Sequence, residues 1–520
     1  MAVGPVAVGR QNPIMAPPSF DLGLRPRTSP LGEAVAAAPP IEPRQWQRQL
    51  IDLLRRRLRQ GPDLDQAPAL GKDVLVHAGP GAGKTIGALL GFRRLWQEGH
   101  LDRVLICCHR NTIAQQWLAT GQRLGLILEP WHGGAPQESS HGLVLSYQAA
   151  IRAQGEPTAL LSGAGQGVRW LAIADEVHHL GLDPDEPESS AWGPAFSRLS
   201  APAALRLGLS GTPFRADNLG FCAARRQPIA AEAGGGEHIV PDLSIEPRQL
   251  IEAGDVRPLE FRFQDGWVEH GRPQDGDDRE RSPLSAESRE SWRARNLRRA
   301  IRLGDGGGIA LRVLLQARAR LAWVRQREPG AGGLVVARDI GHARQISALL
   351  IEQGDRVQLV HSQELAAEAL LKAFRAGAGE WLVSVDMCSE GFDAPRLRVV
   401  AYLTTVVTRS RFVQAITRAV RVAEDSRPRP STTGPRQPSY VFAPADPLLM
   451  AHARGWSLSE PYRISPPRTV VSAVAGGWAG AGDPLAPLQA LGVQASGVIQ
   501  VKGPQLPNLS KISLTPRGNE

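Results

Sequence analysis

The sequence predicts an α/β protein made of two tandem parallel-sheet domains with Pro/Gly-rich tails. Three observations carry that prediction. Short apolar runs alternate with helical patterns in two separate series, the signature of strands joined by crossover helices. A glycine-rich loop closes the first run of the first series. With 42 Pro and 55 Gly among 520 residues, the chain exceeds the usual share yet stays below the disordered range of about 25–30%. A folded body with Pro/Gly-rich extras is therefore expected, and a wholly disordered chain is excluded.

The first series reads as buried strands at Val74–Ala78, Val104–Cys108, Leu143–Ser146, Trp170–Ala174 and Arg206–Leu209. The second reads as Gly333–Ala337, Val357–His361, Trp381–Val385, Arg398–Leu403 and Tyr440–Ala443. They place the two domains at 41–225 and 300–445. Residues 1–40 hold eight prolines among Ala and Gly and read as a disordered arm. Residues 446–520 read as a low-complexity extension with no domain of its own, some of which could pack on the body. The segment 226–299 is longer than a linker; Val256–Phe263 and Trp267–Glu269 look like a strand pair turning at Asp265-Gly266. Residues 291–327 carry ten arginines against the single acid Asp305, which suits either a solvated helix face or a nucleic-acid contact; Trp292 and Trp323 read as packed.

The charge balance is 60 basic against 51 acidic residues, net +9, and only five of the cations are lysine. Arginine is the default cation, so each lysine stands out. A positive balance permits a nucleic-acid partner without requiring one. The four cysteines form no C-x-x-C pair, so neither a zinc site nor a disulfide framework is indicated. With no secretory pattern and no apolar run of membrane-spanning length, a cytoplasmic protein without membrane contact is expected.

Two motifs carry chemistry. Ala78-Gly79-Pro80-Gly81-Ala82-Gly83-Lys84-Thr85 follows a strand and opens a helix. Its glycines let backbone N–H groups turn around phosphate oxygens, and the helix N-terminus adds positive potential. Lys84 would reach the β/γ-phosphates and the Thr85 hydroxyl would hold Mg²⁺. The strand Leu171–Ala174 then ends in Asp175-Glu176-Val177-His178. Asp175 would act on Mg²⁺, Glu176 would polarise the attacking water, and His178 could sense the nucleotide. A zinc cluster of Asp175, Glu176, His178 and His179 is disfavoured because the helix-borne H-E-x-x-H order is absent.

These residues resemble superfamily 2 helicases of the DExH kind, in particular the group that includes type III restriction-enzyme motor subunits. The resemblance covers about 41–445 and implies two tandem RecA-like P-loop domains with ATP and Mg²⁺ in the cleft between them. Arg44-Gln45-Trp46-Gln47 resembles the Q motif, with Gln47 as adenine reader. His109–Trp117 resembles motif Ia and Ser146-Tyr147-Gln148 motif Ib, which makes Arg110, Asn111, Ser146 and Tyr147 candidate nucleic-acid contacts. Ser210-Gly211-Thr212-Pro213-Phe214-Arg215 resembles motif III, with Gly211 where Ala is usual; Ser210 and Thr212 would couple nucleotide to nucleic acid. Glu390–Pro395 resembles motif V and places Asp393 at the nucleotide. Gln414–Arg421 resembles motif VI, in which Gln414 couples and Arg418 and Arg421 are catalytic; Thr417 replaces the common Gly. Taken alone, the i, i+4, i+7 spacing of Gln414, Arg418 and Arg421 would put all three on one helical face.

The resemblance implies an ATP-dependent motor on nucleic acid, DNA favoured over RNA, with partner subunits of a restriction, defence or repair complex open. A duplex translocase that leaves strands paired shares the same motifs. A P-loop switch or chaperone ATPase is disfavoured by Gln47, Gly391–Pro395 and the Arg418/Arg421 pair, and a non-enzymatic scaffold by intact Lys84, Glu176 and Arg421. None of the five lysines follows an acid by two positions, so no nuclease centre of the Glu-x-Lys form is expected.

Overall fold

In the computed structural model, the described residues are 41–59, 71–134, 136–153, 167–180, 189–211, 225–228, 237–271, 280–304, 308–385, 392–422, 436–456, 462–464 and 489–502. The expected arm 1–40, Thr212 and its neighbours 213–215, and Glu390 and Gly391 lie outside them. Apolar runs become strands in both series, in chain order β1 Asp73–Ala78, β2 Arg103–Cys108, β3 Leu128–Pro130, β4 Gly142–Ser146, β5 Trp170–Ala174 and β6 Leu205–Ser210. Then come β7 Arg225–Pro228, β8 Glu237–Val240, β9 Leu243–Ile245, β10 Leu259–Gly271, β11 Glu280–Pro283 and β12 Gly332–Ala337. The last six are β13 Val357–Val360, β14 Trp381–Ser384, β15 Leu397–Leu403, β16 Ser439–Pro444, β17 Tyr462–Ile464 and β18 Gln489–Lys502.

The first sheet has the order β3-β4-β2-β5-β6-β1-β9, and every pair in it is parallel. Its central strands are buried along their whole length, which is why β1, β2 and β5 read as continuous apolar runs rather than alternating ones. The second sheet runs β11-β10-β16-β15-β12-β14-β13, with β18 paired to β10. It is parallel from β10 through β13, and only β11 and β18 are antiparallel. These are the tandem parallel-sheet α/β domains expected of a RecA-like pair. A small antiparallel sheet, β17-β8-β7, stands apart from both.

Two expectations are corrected. The segment 226–299 is not a separate connector. Its β9 extends the first sheet at β1, where Asp242 pairs with Arg57 and accepts from the Leu75 amide at 2.8 Å. Its β10 and β11 belong to the second sheet. Nor is there a hairpin at Asp265-Gly266: β10 is one strand through both residues. Asp265 spends its carboxylate on the Gly266 amide (2.8 Å) and on the Ser285 hydroxyl (2.6 Å), and the register shifts there. The Asp-Gly pair makes a bulge, not a reversal, because β10 has partners on both sides: β18 along one, and β16 then β11 along the other. Part of the C-terminal extension does pack on the body. The helix Pro447–Gly455 and strand β18 both join the second domain. Glycines and alanines in β18 dilute its apolar alternation, which hid it in the sequence.

The arginine-rich stretch resolves into two helices, Glu290–Ala300 and Ile309–Arg325. It is not one solvated face. Arg293 is buried and pairs with Asp446 at 2.8 Å, Arg318 pairs with Asp355 at 2.7 Å and Arg325 with Glu380 at 3.1 Å. Trp292 lies beside the His270 ring, whereas Trp323, expected to pack, is 38% exposed. Among the described residues no helix is long and apolar enough to cross a membrane.

Asp446 has two tasks. It caps the helix Pro447–Gly455 by accepting from the Leu448 and Leu449 amides, and it neutralises buried Arg293. Removing one partner of a buried pair costs about 3–5 kcal/mol, and an N-cap about 1 kcal/mol. Asp446→Ala should therefore lower the urea midpoint of the second domain sharply, followed by circular dichroism. Asp446→Asn, which keeps the cap, should lose less; equal losses would assign the whole effect to the ion pair with Arg293.

Candidate active site

The loop between β1 and the helix Lys84–Gln97 is shaped by Gly81 and Gly83, both left-handed at φ 80° and 81°. Side chains would be strained there, and at Gly81 a methyl would also stand 3.0 Å from Val256. The preceding helix, Gln45–Arg59, grips the loop from outside. Arg44 Nη1 donates to the carbonyls of Gly81 (2.9 Å) and Ala82 (2.8 Å), Trp46 Nε1 to Ala82 (3.0 Å), and Gln47 Nε2 to Gly83 (3.0 Å). These bonds hold three successive carbonyls from outside; the Ala82 amide is spent on the Gly79 carbonyl at 3.1 Å, which leaves the Gly83 and Lys84 amides on the edges opposite the held carbonyls. Gln47 is 1% exposed, and its Oε1 accepts from the Arg44 amide at 2.9 Å. The amide expected to read adenine holds the loop at one end and the Arg44 backbone at the other. Sequence reasoning gave no role to Arg44, which also pairs with Asp255 at 3.2 Å.

β5 delivers the two carboxylates. Glu176 sits in the left-handed region at φ 49°, uncommon for a residue with a side chain. That turn brings its Oε1 to 3.1 Å from Lys84 Nζ and its Oε2 to the Gly211 amide at 3.1 Å. Lys84 also approaches the Ala78 carbonyl at 3.4 Å. A methyl on Gly211 would lie 2.5 Å from Lys84 Nζ, the mobile end of that side chain, which would have to shift aside. Asp175 is buried beside Glu176. Burial, and then the Glu176 charge, push its carboxyl up to about 6, against the opposing pull of Lys84 and of a hydrogen bond from Trp117. That bond runs from Trp117 Nε1 to Asp175 Oδ2 at 2.8 Å. Burial and the Lys84 charge hold His77 down at about 4, so it is neutral at pH 7.

The second domain reaches the same loop. The Arg421 Cγ and a Val420 methyl lie 3.7 and 3.6 Å from where a methyl on Gly81 would stand, and the Val420 carbonyl accepts from the Arg257 amide at 2.8 Å. Arg421 pairs with Asp393 at 2.9 Å. Arg418 is buried and donates to the Phe392 carbonyl. The common helical face expected for Gln414, Arg418 and Arg421 is corrected: the helix Arg409–Ile416 ends before both arginines. Past Ile416 the amides of Arg418 and Ala419 bond three residues back, to the Ala415 (3.4 Å) and Ile416 (3.1 Å) carbonyls, so the chain tightens into turns, and the Ala419 and Val420 carbonyls go to the Ser439 hydroxyl (2.7 Å) and the Arg257 amide. The turn nevertheless brings Arg421 to Asp393 and the loop.

The expected nucleic-acid contacts divide. Arg110 and Asn111 open the helix Asn111–Arg123, and Asn111 is exposed. Ser146 caps the helix Tyr147–Ala153 by accepting from the Ala149 amide at 3.1 Å. Tyr147 is corrected: it is fully buried, and its hydroxyl donates to the Asp175 carbonyl at 2.7 Å. It supports the carboxylate turn and cannot touch a strand. Ser210 is buried at the end of β6, opposite His77 in the register, and His178 lies on the 3-10 turn Val177–Leu180. Gln414 carries a buried Oε1 with no hydrogen-bond partner among the described residues. Among those residues no cluster fit for a resident metal of His, Cys, Asp and Glu occurs, and Cys107 and Cys108 are buried free thiols, pushed up by burial.

Residues 40–215 match the family described as type III restriction enzyme, res subunit, and residues 315–423 match the helicase conserved C-terminal domain. An uncharacterized protein of Mycobacterium leprae is 31% identical over 413 residues, which cover 76% of this chain and 63% of that one. One of Mycobacterium tuberculosis is 31% identical over 408 residues, with the same coverage. The chain thus spans 63% of the length of these relatives. A solved type ISP restriction-modification enzyme, bound to DNA, aligns over 78% of this chain and 28% of its own at 14% identity and TM-score 0.47. With the two helicase-family domains in this order, the chain belongs to the superfamily 2 helicases and resembles the type III restriction motor.

Trp117 is the residue this geometry adds. Trp117→Phe keeps the ring in the core but strips the buried Asp175 carboxylate of its donor. An unmet buried partner costs about 1–3 kcal/mol, which urea unfolding of the first domain should read. A loss no larger than that of a surface substitution would show that Trp117 acts through packing alone.

Proposed function

We propose that this helicase-family motor hydrolyses ATP with Mg²⁺ between its two domains and uses the cycle to move along nucleic acid, DNA favoured over RNA. The observation that carries the reading is Arg421. It stands in the second domain, yet its side chain lies against Gly81 of the first domain's loop. A site made by two bodies responds to how they close.

The residues fit the nucleotide. Around the loop stand a lysine, a hydroxyl at Thr85 and a carboxylate at Asp175, the donor set for a triphosphate and Mg²⁺. Arg421 Nε and Asp393 Oδ1 are buried beside it with no hydrogen-bond partner among the described residues, as groups awaiting a polar ligand would be. When bound, Mg²⁺ neutralises the charge that develops on the phosphates. Lys84 would exchange Glu176 for the β/γ-phosphates. Glu176, released from Lys84, would orient the attacking water and accept its proton at a carboxylate oxygen. Arg421 would leave Asp393 and present its planar fork to the γ-phosphate, Asp393 taking up the nucleotide's polar edge. Arg418, tied to the Phe392 carbonyl, would fix the turn that aims Arg421. Ser210, Thr212, His178 and Gln414 remain candidates for coupling, and Arg110, Asn111 and Ser146 for the strand.

The direct test is ATP turnover with and without single-stranded DNA, duplex DNA and RNA. Stimulation by one of them is expected; turnover indifferent to all three would overturn the motor reading. Strand-displacement and triplex-displacement assays then separate unwinding from duplex translocation. Lys84→Ala should abolish turnover with the fold intact by circular dichroism, and near-normal turnover would remove the loop from the mechanism.

Arg421→Ala and Arg421→Lys should both lose stimulated turnover, by about 10³–10⁵ if Arg421 acts as an arginine finger. Lysine keeps the charge but not the bidentate fork. Nucleotide affinity without nucleic acid should change far less, because the first domain supplies the loop and Lys84. Retention of stimulated turnover by either variant would move the role to Arg418.

A further inference from the structure

A second feature lies on the other face of the second sheet. Successive β10 side chains point to opposite faces. Phe261 meets Phe412 of the helix leading into Arg418 and Arg421, while Gln264, on the opposite set with Arg262, bonds Gln316 of the helix Ile309–Arg325 at 2.8 Å. On that second face a cavity of about 560 Å³ opens between the helix, β10, β16 and β18. The volume falls within the range of small-ligand pockets, roughly 300–1,000 Å³. Trp323, Phe442 and Val498 give it apolar and aromatic walls; Gln316, Gln500 and Arg320 give it polar ones.

The cations here are distributed unevenly. Arg318 and Arg325 on the same helix are neutralised by Asp355 and Glu380, and Arg262 by Glu260 at 2.8 Å. Arg320 and Arg327 have no carboxylate within ion-pair distance among the described residues. Both lie against Trp323, their guanidinium carbons 4.9 and 5.0 Å from its ring centroid. Arg320 also lies 4.6 Å from the Tyr440 centroid. A guanidinium resting on a ring is held in place with its N–H edge still able to donate, and a phosphate oxygen suits that edge. An aromatic cavity with amide walls beside two such cations fits a flat heterocycle joined to an anion.

We propose that this cavity is an accessory site for one nucleotide of a single strand, its base against Trp323 and its phosphates on Arg320 and Arg327. The inference rests on the nucleic-acid reading above and adds a contact remote from the ATP cleft. A base must be unstacked to enter such a cavity, so single strands should use it and duplexes should not.

The test measures anisotropy of a fluorescein-labelled oligothymidylate and of a labelled blunt duplex, without nucleotide, across a salt series. Trp323→Ala should weaken single-strand binding about five-fold or more, the lower end for loss of one stacked base, and Trp323→Phe should retain most of it. The double variant Arg320→Gln/Arg327→Gln should reduce the slope of log K against log salt by about 1.4, from two phosphate contacts at about 0.7 each. Duplex binding and ATP affinity should be unchanged. Variants that bind the single strand like the wild type, or lose single-strand and duplex binding equally, would overturn the site. A wild-type chain that binds neither would instead remove the nucleic-acid reading on which the site rests.

Discussion

The site depends on one ion pair, Lys84 to Glu176, and on the sheet that makes it. The strand order β5-β6-β1 sets the loop after β1 and the carboxylates after β5 one strand apart. Lys84 leaves the loop at the first turn of its helix, and Glu176 leaves β5 through a left-handed residue. The two side chains converge at 3.1 Å above the end of β6, and Gly211, the residue after it, donates its amide to the same carboxylate. Move any of the three strands and the cluster dissolves. The left-handed Glu176 is a conformational cost of about 1–3 kcal/mol, offset by the lysine and amide it meets.

Around that pair the molecule spends its remaining polar groups on holding geometry. Arg44, Trp46 and Gln47 fix the loop through its carbonyls, and Trp117 and Tyr147 fix Asp175, one by its carboxylate and the other by its backbone. Arg44 reaches further, to Asp255, in the segment that leads from the first sheet into β10. The loop is therefore tied to both its own helix and the crossing into the second domain, where Val256 and Arg421 close over Gly81. In the proposed cycle this junction is where nucleotide and domain arrangement sense one another.

Much of this was legible in the sequence, for a local reason. Strands buried on both faces announce themselves as apolar runs, and phosphate chemistry requires glycine, lysine and carboxylate at strand ends, so Lys84, Asp175 and Glu176 could be placed without knowing the fold. Tyr147 and Trp117 could not: whether an aromatic side chain faces a strand of nucleic acid or a buried carboxylate is decided by tertiary packing. Gln47 was legible as part of the site, but its bond to the Gly83 carbonyl needs the loop to be seen. The helical face at Arg418 and Arg421 was misjudged because past Ile416 the amides turn to bonds three residues back, in a turn whose Ala419 and Val420 carbonyls are held by Ser439 and Arg257, distant in sequence. Asp265-Gly266 reads as a turn only until β10 is seen to have partners on both sides. Trp323 was misread because nothing in the sequence around it says that the cavity beside it stays open.

The central claim is that Glu176 is held by Lys84 without nucleotide and exchanged for phosphate with it. Comparing Mg·ATP affinity and single-turnover hydrolysis for wild type and Glu176→Gln tests this most directly. The account predicts binding at least as tight as wild type, since Lys84 is freed of its charged partner, with hydrolysis falling by about 10²-fold or more as the base is lost. Parallel loss of affinity and hydrolysis would contradict it, and would make Glu176 a structural tie between β1, β5 and β6 rather than a catalytic carboxylate.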